Sequence, residues 1–100
     1  LQADDLAKAR EFYGEIVGFA PTATLPGAQF LGAGGYHHHL GTNIWESRNG
    51  PPPSPDSAGL SLITFEMPDE ASMRALQARL ENAGTGTKAN SNGFDFLDPW

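Results

Sequence analysis

The 100-residue sequence contains no cysteine. Disulfides are therefore excluded, and so is any metal held by thiolates. A chain without thiols suits a reducing cytoplasm. Cations are scarce as well: six Lys and Arg stand against twelve Asp and Glu, a net charge of −6. Nucleic-acid binding needs clustered cations that displace counterions from phosphates, and no such cluster occurs, so nucleic acid is not an expected partner. The same deficit argues against an anionic membrane surface. No apolar run approaches the ~18–20 residues needed to cross a bilayer, and no basic-then-apolar leader opens the chain. The expectation is a soluble cytoplasmic protein of one domain at most, since a chain of this size buries only ~60–70% of its unfolded surface.

What is present is strongly patterned. Asp5 suits a helix N-cap, because its carboxylate accepts from the free amides of a first turn. Leu6, Ala9, Phe12, Tyr13, Ile16 and Val17 then recur at three- and four-residue spacing, one apolar stripe on a helix. Gly18 supplies the left-handed residue that ends it. Strands are expected at 20–24 and 28–31, separated by the Pro26-Gly27 turn, and at 36–45 after a Gly34-Gly35 hairpin. Residues 46–59 carry Pro51, Pro52, Pro53 and Pro55, which exclude helix or central strand and leave an extended connector.

The pattern then partly repeats. Residues 61–66 are apolar and β-branched, as in a strand. Asp69 caps a second amphipathic helix carrying Met73, Leu76, Leu80 and Ala83, and Gly84 stops it. Ser91-Asn92-Gly93 reads as a turn before a last strand at 94–97. Two copies of a helix followed by short strands point to an internal duplication or to two ordinary helices in succession.

The residues with chemical potential concentrate in 36–45. In a regular strand Tyr36, His38, Leu40, Thr42 and Ile44 share one face, and His37, His39, Gly41, Asn43 and Trp45 the other. The first face suits packing beneath a helix; the second is polar and aromatic, as a ligand cup is. His37 and His39 stand ~6.5–7 Å apart at the backbone, close enough to share a metal or a substrate. Neutral imidazole is also a proton acceptor near physiological pH. Three readings stay open: hydrogen-bonded structural histidines, substrate binding with proton transfer, or metal ligation. Asn43 can hydrogen-bond a substrate oxygen, and Trp45 can line a pocket for an aromatic substrate, although each also has an ordinary structural use.

The opening LQADDLAKAREFYGEIVGF resembles the first helix of a vicinal-oxygen-chelate module, the superfamily of glyoxalase I, bleomycin-resistance proteins and extradiol dioxygenases. Asp5, Leu6, Ala9, Phe12, Tyr13, Gly18 and Phe19 carry that match. QFLGAGGYHHHLGTNIW with the following GPPPSP is similar to the carboxy-terminal module of catechol-2,3-dioxygenase-like proteins, and GFDFLDPW resembles the turn before such a module's last strand. The resemblance implies an α+β fold of paired βαβββ units, forming a curled mixed sheet with helices on its outer face. Residues 1–45 would be the first repeat, 46–59 the connector and 60–100 the second.

The resemblance also implies a site. Extradiol members hold a divalent metal, iron or manganese and less often zinc, with two His and one Glu. One His would precede Leu1 and the Glu would follow Trp100; the position of the other His is Leu62 here. Catalysis would then fall to His37 and His39, and substrate binding to Asn43 and Trp45. Because the family's outer strands lie outside this sequence, further chain or pairing with a second copy or module, as in a homodimer, is expected. The implied function is a small-molecule enzyme of the ring-cleaving dioxygenase type. The alternatives are a metal-free binding protein of the bleomycin-resistance type and a non-catalytic pairing module.

Overall fold

Asp5 opens the first helix as its position requires. In the computed structural model, which describes residues 1–100, its carboxylate accepts from the Ala7 amide at 2.7 Å and the Lys8 amide at 3.3 Å. One α-helical turn, α1 (Leu6–Ala9), follows and then widens into a π-helical stretch over Arg10–Ile16. The amide of Val17 reaches back five residues to the carbonyl of Phe12, and Phe19 reaches the carbonyl of Tyr13. Gly18, at φ 103°, closes the end in the left-handed region that a side chain disfavours. The apolar stripe survives the wider winding, with Ala9, Phe12, Tyr13 and Val17 buried.

Three antiparallel strands lie next to this helix in sequence and pair in the order β1-β2-β3: β1 (Ala20–Leu25), β2 (Ala28–Gly32) and β3 (Leu40–Asn43). The β1–β2 turn is Pro26-Gly27, with Gly27 at φ 77°. The opening residues run alongside β3 in parallel: Gln2 bridges Asn43, Ala3 N–H donates to Asn43 O, and Asn43 N–H donates to Leu1 O. That single parallel bridge sets the opening residues beside a three-stranded antiparallel sheet, so the first half runs as helix and three strands where a curled mixed sheet was expected. Leu40, Thr42 and Ile44 are buried, with Leu31 opposite Leu40 and Gln29 opposite Thr42. Gln29 donates to the carbonyl of Leu6, which places this face of the sheet toward the helix. Burying Leu31 completely contributes roughly 1.5–3 kcal/mol.

The chain divides into two units, Leu1–Ile63 and Thr64–Trp100. In the second, Asp69 caps α2 (Glu70–Asn82) by accepting from the Ser72 amide at 2.7 Å, and Gly84 at φ 83° follows its end. Leu76 and Leu80 are its buried residues. A hairpin of β4 (Thr87–Ala89) and β5 (Phe94–Phe96) completes the unit. The architecture is α+β. Residues 61–66, expected as a strand, belong to neither of the two sheets. An apolar, β-branched sequence favours extended backbone, yet a strand exists only where a neighbour accepts its hydrogen bonds. No helix is long and apolar enough to cross a membrane.

Candidate functional site

The strand expected over 36–45 is shorter than its sequence implies. Only Leu40–Asn43 pairs, and Leu31 faces Leu40, so residues 33–39 form a seven-residue loop instead of a tight Gly34-Gly35 hairpin. The reason lies in register. A two-residue turn at Gly34-Gly35 would set Leu31 opposite His38. The observed register sets Leu31 opposite Leu40 and keeps Leu40 and Thr42 in the core.

Three contacts shape the loop. Tyr36 N–H donates to Ala33 O at 3.1 Å, turning the chain through Gly34 and Gly35 at φ 61° and 78°. Thr22 sits at an irregularity in β1 between Pro21 and Ala23, and its hydroxyl donates to the carbonyl of His37. A Cβ on Gly32 would collide with the carbonyl oxygen of Tyr36, so the loop depends on main chain passing where only glycine fits.

Released from strand geometry, the four rings of Tyr36, His37, His38 and His39 gather. Tyr36 lies 4.7 Å from His37 and 4.8 Å from His39, centroid to centroid, and His37 lies 4.2 Å from His38. The alternation argument put Tyr36 and His38 on the helix side; the loop overrides it. His38 lies 5.5 Å from Phe30, whose ring covers Gly41, so His38 sits on the sheet face opposite the buried Leu40 and Thr42. Sequence reasoning therefore did not place His38 and Phe30 in this cluster of rings. The signal available was the paired glycines, which permit a long loop as readily as a tight turn.

The histidines differ in what they can do. All three are exposed. His39 is anchored: its own N–H donates to Leu31 O at 2.8 Å, and its Nδ1 accepts from Ala33 N–H at 3.1 Å. With Nδ1 accepting, the neutral ring carries its proton on Nε2, and His39 offers a bound molecule a donor. The rings of His37 and His38 make no hydrogen bond within the protein, so their nitrogens are open to a bound molecule.

Asn43 and Trp45 lie at the opposite end of β3. Six residues separate His39 from Trp45, ~20 Å in extended chain. Asn43 uses its main chain to bind the opening strand and its Oδ1 to accept from Trp45 N–H at 3.4 Å. Trp45 is 68% exposed, packs over Gly27 and donates Nε1–H to Pro26 O at 3.2 Å. The structure thus brings His37 and His39 together with His38, Tyr36 and Phe30, and leaves Asn43 and Trp45 at the β1–β2 turn.

A sequence profile of the glyoxalase/bleomycin resistance protein/dioxygenase superfamily matches residues 1–100. The chain belongs to this superfamily. Within it, the catechol-2,3-dioxygenase of Bacillus subtilis (strain 168) is 37% identical over 101 residues, covering 99% of this chain and 35% of that protein. The chain thus spans about a third of the length of the curated relative it matches. Likeness to a catechol dioxygenase suggests a metal.

The residues present do not fit one. No three His, Asp or Glu side chains converge to hold an ion. Leu62, which the resemblance led one to expect at a ligand position, is an aliphatic side chain 73% exposed and has no lone pair to donate.

Proposed function

We propose that this chain is the substrate-holding module of a dioxygenase-type protein and binds a small, planar aromatic molecule with ring hydroxyls. The observation that carries the reading is the cluster of Phe30, Tyr36, His37, His38 and His39. It joins an aromatic plate to three imidazoles. Phe30 offers a face for offset stacking, worth ~0.5–1.5 kcal/mol beyond the area it buries. His39 donates from Nε2 to a ring oxygen. His38, beside Phe30 and without a hydrogen bond at either nitrogen, accepts a hydrogen bond from the ring hydroxyl. Asn43 and Trp45 take no part in this cluster.

A second reading is a metal-free binding protein of the bleomycin-resistance type, favoured by Leu62. Both readings share the site and differ in chemistry. Pairing with a second copy or module, two repeats joined by the 46–59 connector, and a cytoplasmic setting are parts of the same proposal.

Catechol titration followed through the imidazole proton resonances tests it. Shifts at His38 and His39, lost with Phe30→Leu and His38→Ala while far-ultraviolet circular dichroism is unchanged, are the expected result. Saturable binding unaffected by either substitution would refute the site. Oxygen uptake with catechol, and metal content of the untagged protein, then separate enzyme from binder.

A further inference from the structure

The sequence contains two Asn-Gly junctions, Asn49-Gly50 and Asn92-Gly93, both with exposed asparagines. Asn-Gly is the dipeptide most open to spontaneous deamidation, because glycine has no side chain to hinder attack. The Gly amide nitrogen bonds to the Asn side-chain carbonyl carbon, ammonia leaves, and the resulting succinimide takes up one water to give aspartate or isoaspartate. The step needs only water. It also needs the Asn–Gly peptide plane to turn and the Gly N–H to shed its proton.

The two junctions differ in what holds that plane. At 49–50, Gly50 N–H donates to Ser47 O at 2.9 Å, and Asn49 N–H donates to Asp4 O at 3.0 Å. Asn49 is also locked at φ 52°, and a Cβ on Gly50 would stand 3.1 Å from Ser47 O, so backbone crowds the glycine. Turning this plane breaks its bond, and the bonded N–H is a poorer acid.

At 92–93 the neighbouring planes are held and this one is not. Asn92 N–H donates to Asn90 Oδ1 at 2.9 Å, and Asn90 N–H donates to Gly93 O at 3.0 Å. Both bonds belong to the flanking peptides. Neither the Gly93 N–H nor the Asn92 carboxamide has a partner within the protein. Met73 Sδ lies 3.0 Å from where a Cβ on Gly93 would be, a tight approach to the flexible end of a side chain of α2.

We infer that Asn92 is a self-modification site, and that the fold shields the chemically equal junction at Asn49. The product has consequences in the second unit. Aspartate adds a negative charge at the β4–β5 turn near Asp95, which accepts from Asn90 Nδ2 at 2.9 Å. Isoaspartate routes the main chain through an extra methylene, in a hairpin whose register rests on three residue pairs.

The test is peptide mass mapping of the full chain held at pH 8 and 37 °C, following the gain of one mass unit at each junction. One backbone hydrogen bond is worth roughly five- to tenfold in population, so Asn92 should convert at least ~5 times faster than Asn49 in the native protein. In concentrated urea the two rates should converge. Asn92→Gln should remove the major acidic species and the isoaspartate that methyltransferase labelling detects. Asn49 converting as fast as Asn92 in the native state, or a ratio unchanged by urea, would overturn the inference.

Discussion

Thr42 offers the sharpest test of how this sheet is assembled. It is 1% exposed, at the centre of β3 between Leu40 and Ile44, and its hydroxyl has no hydrogen-bond partner. Removing such a hydroxyl from water without a partner costs ~1–3 kcal/mol. Valine replaces the hydroxyl with a methyl of nearly the same shape and keeps the β-branched form that strands favour. Thr42→Val should therefore raise stability by ~1–2 kcal/mol, or roughly 4–8 °C in melting temperature per kcal/mol for a chain of this size. Thr42→Ser keeps the hydroxyl and deletes a buried methyl, and should lose ~1 kcal/mol. Urea unfolding followed by Trp45 emission in a Trp100→Phe background reports the first unit. The midpoint should move at constant slope. If Thr42→Val melts at or below the parent, the hydroxyl is satisfied, by an enclosed water for instance, and the reasoning fails.

Two further outcomes follow from particular residues. Gly32→Ala drives a Cβ into the Tyr36 carbonyl and should cost ~2 kcal/mol or more, disperse the imidazole cluster and weaken catechol binding together with stability; calorimetry and titration on one sample check both. The Asp69 carboxyl is held below its ordinary value of 3.8 by the hydrogen bonds from the backbone and side chain of Ser72. A depressed folded-state value means its contribution to α2 is present above pH ~4 and lost as pH falls through the folded value. Helical circular dichroism should thus fall on acidification, and Asp69→Asn, which still caps but does not titrate, should flatten that part of the curve. An identical acid profile in the variant would remove Asp69 from the account.

The elements governed by local chemistry were legible in the sequence. Asp5 and Asp69 cap where a free carboxylate next to an apolar period must, and Gly18, Gly27 and Gly84 take the left-handed conformations their positions require. The apolar stripe of the first helix named its buried residues, though not its π-helical winding, since spacings of three and four announce ordinary α-helical turns. The site was only partly legible. Alternation grouped His37 with His39 and separated them from Tyr36 and His38, because it assumed strand geometry where register demanded a loop. Which side of the paired glycines the strand resumes on depends on Leu31 meeting Leu40 across the sheet, a long-range pairing that no short window contains. For the same reason residues 61–66 have the composition of a strand without its partner.

The widened winding between Arg10 and Ile16 has an evolutionary reading. A π-helical stretch within a helix is what a one-residue insertion leaves behind when the turns on either side keep their faces in the core. Ala9 lies before it and Val17 after it, and both are buried. Relatives whose first helix winds as a plain α-helix should therefore match this chain with a single-residue gap in that interval. Gly14, the one position there without a side chain, has space for a Cβ, with its closest would-be neighbour at 3.6 Å. Deleting it should return the helix to regular winding while Phe12 and Val17 keep their places against the sheet.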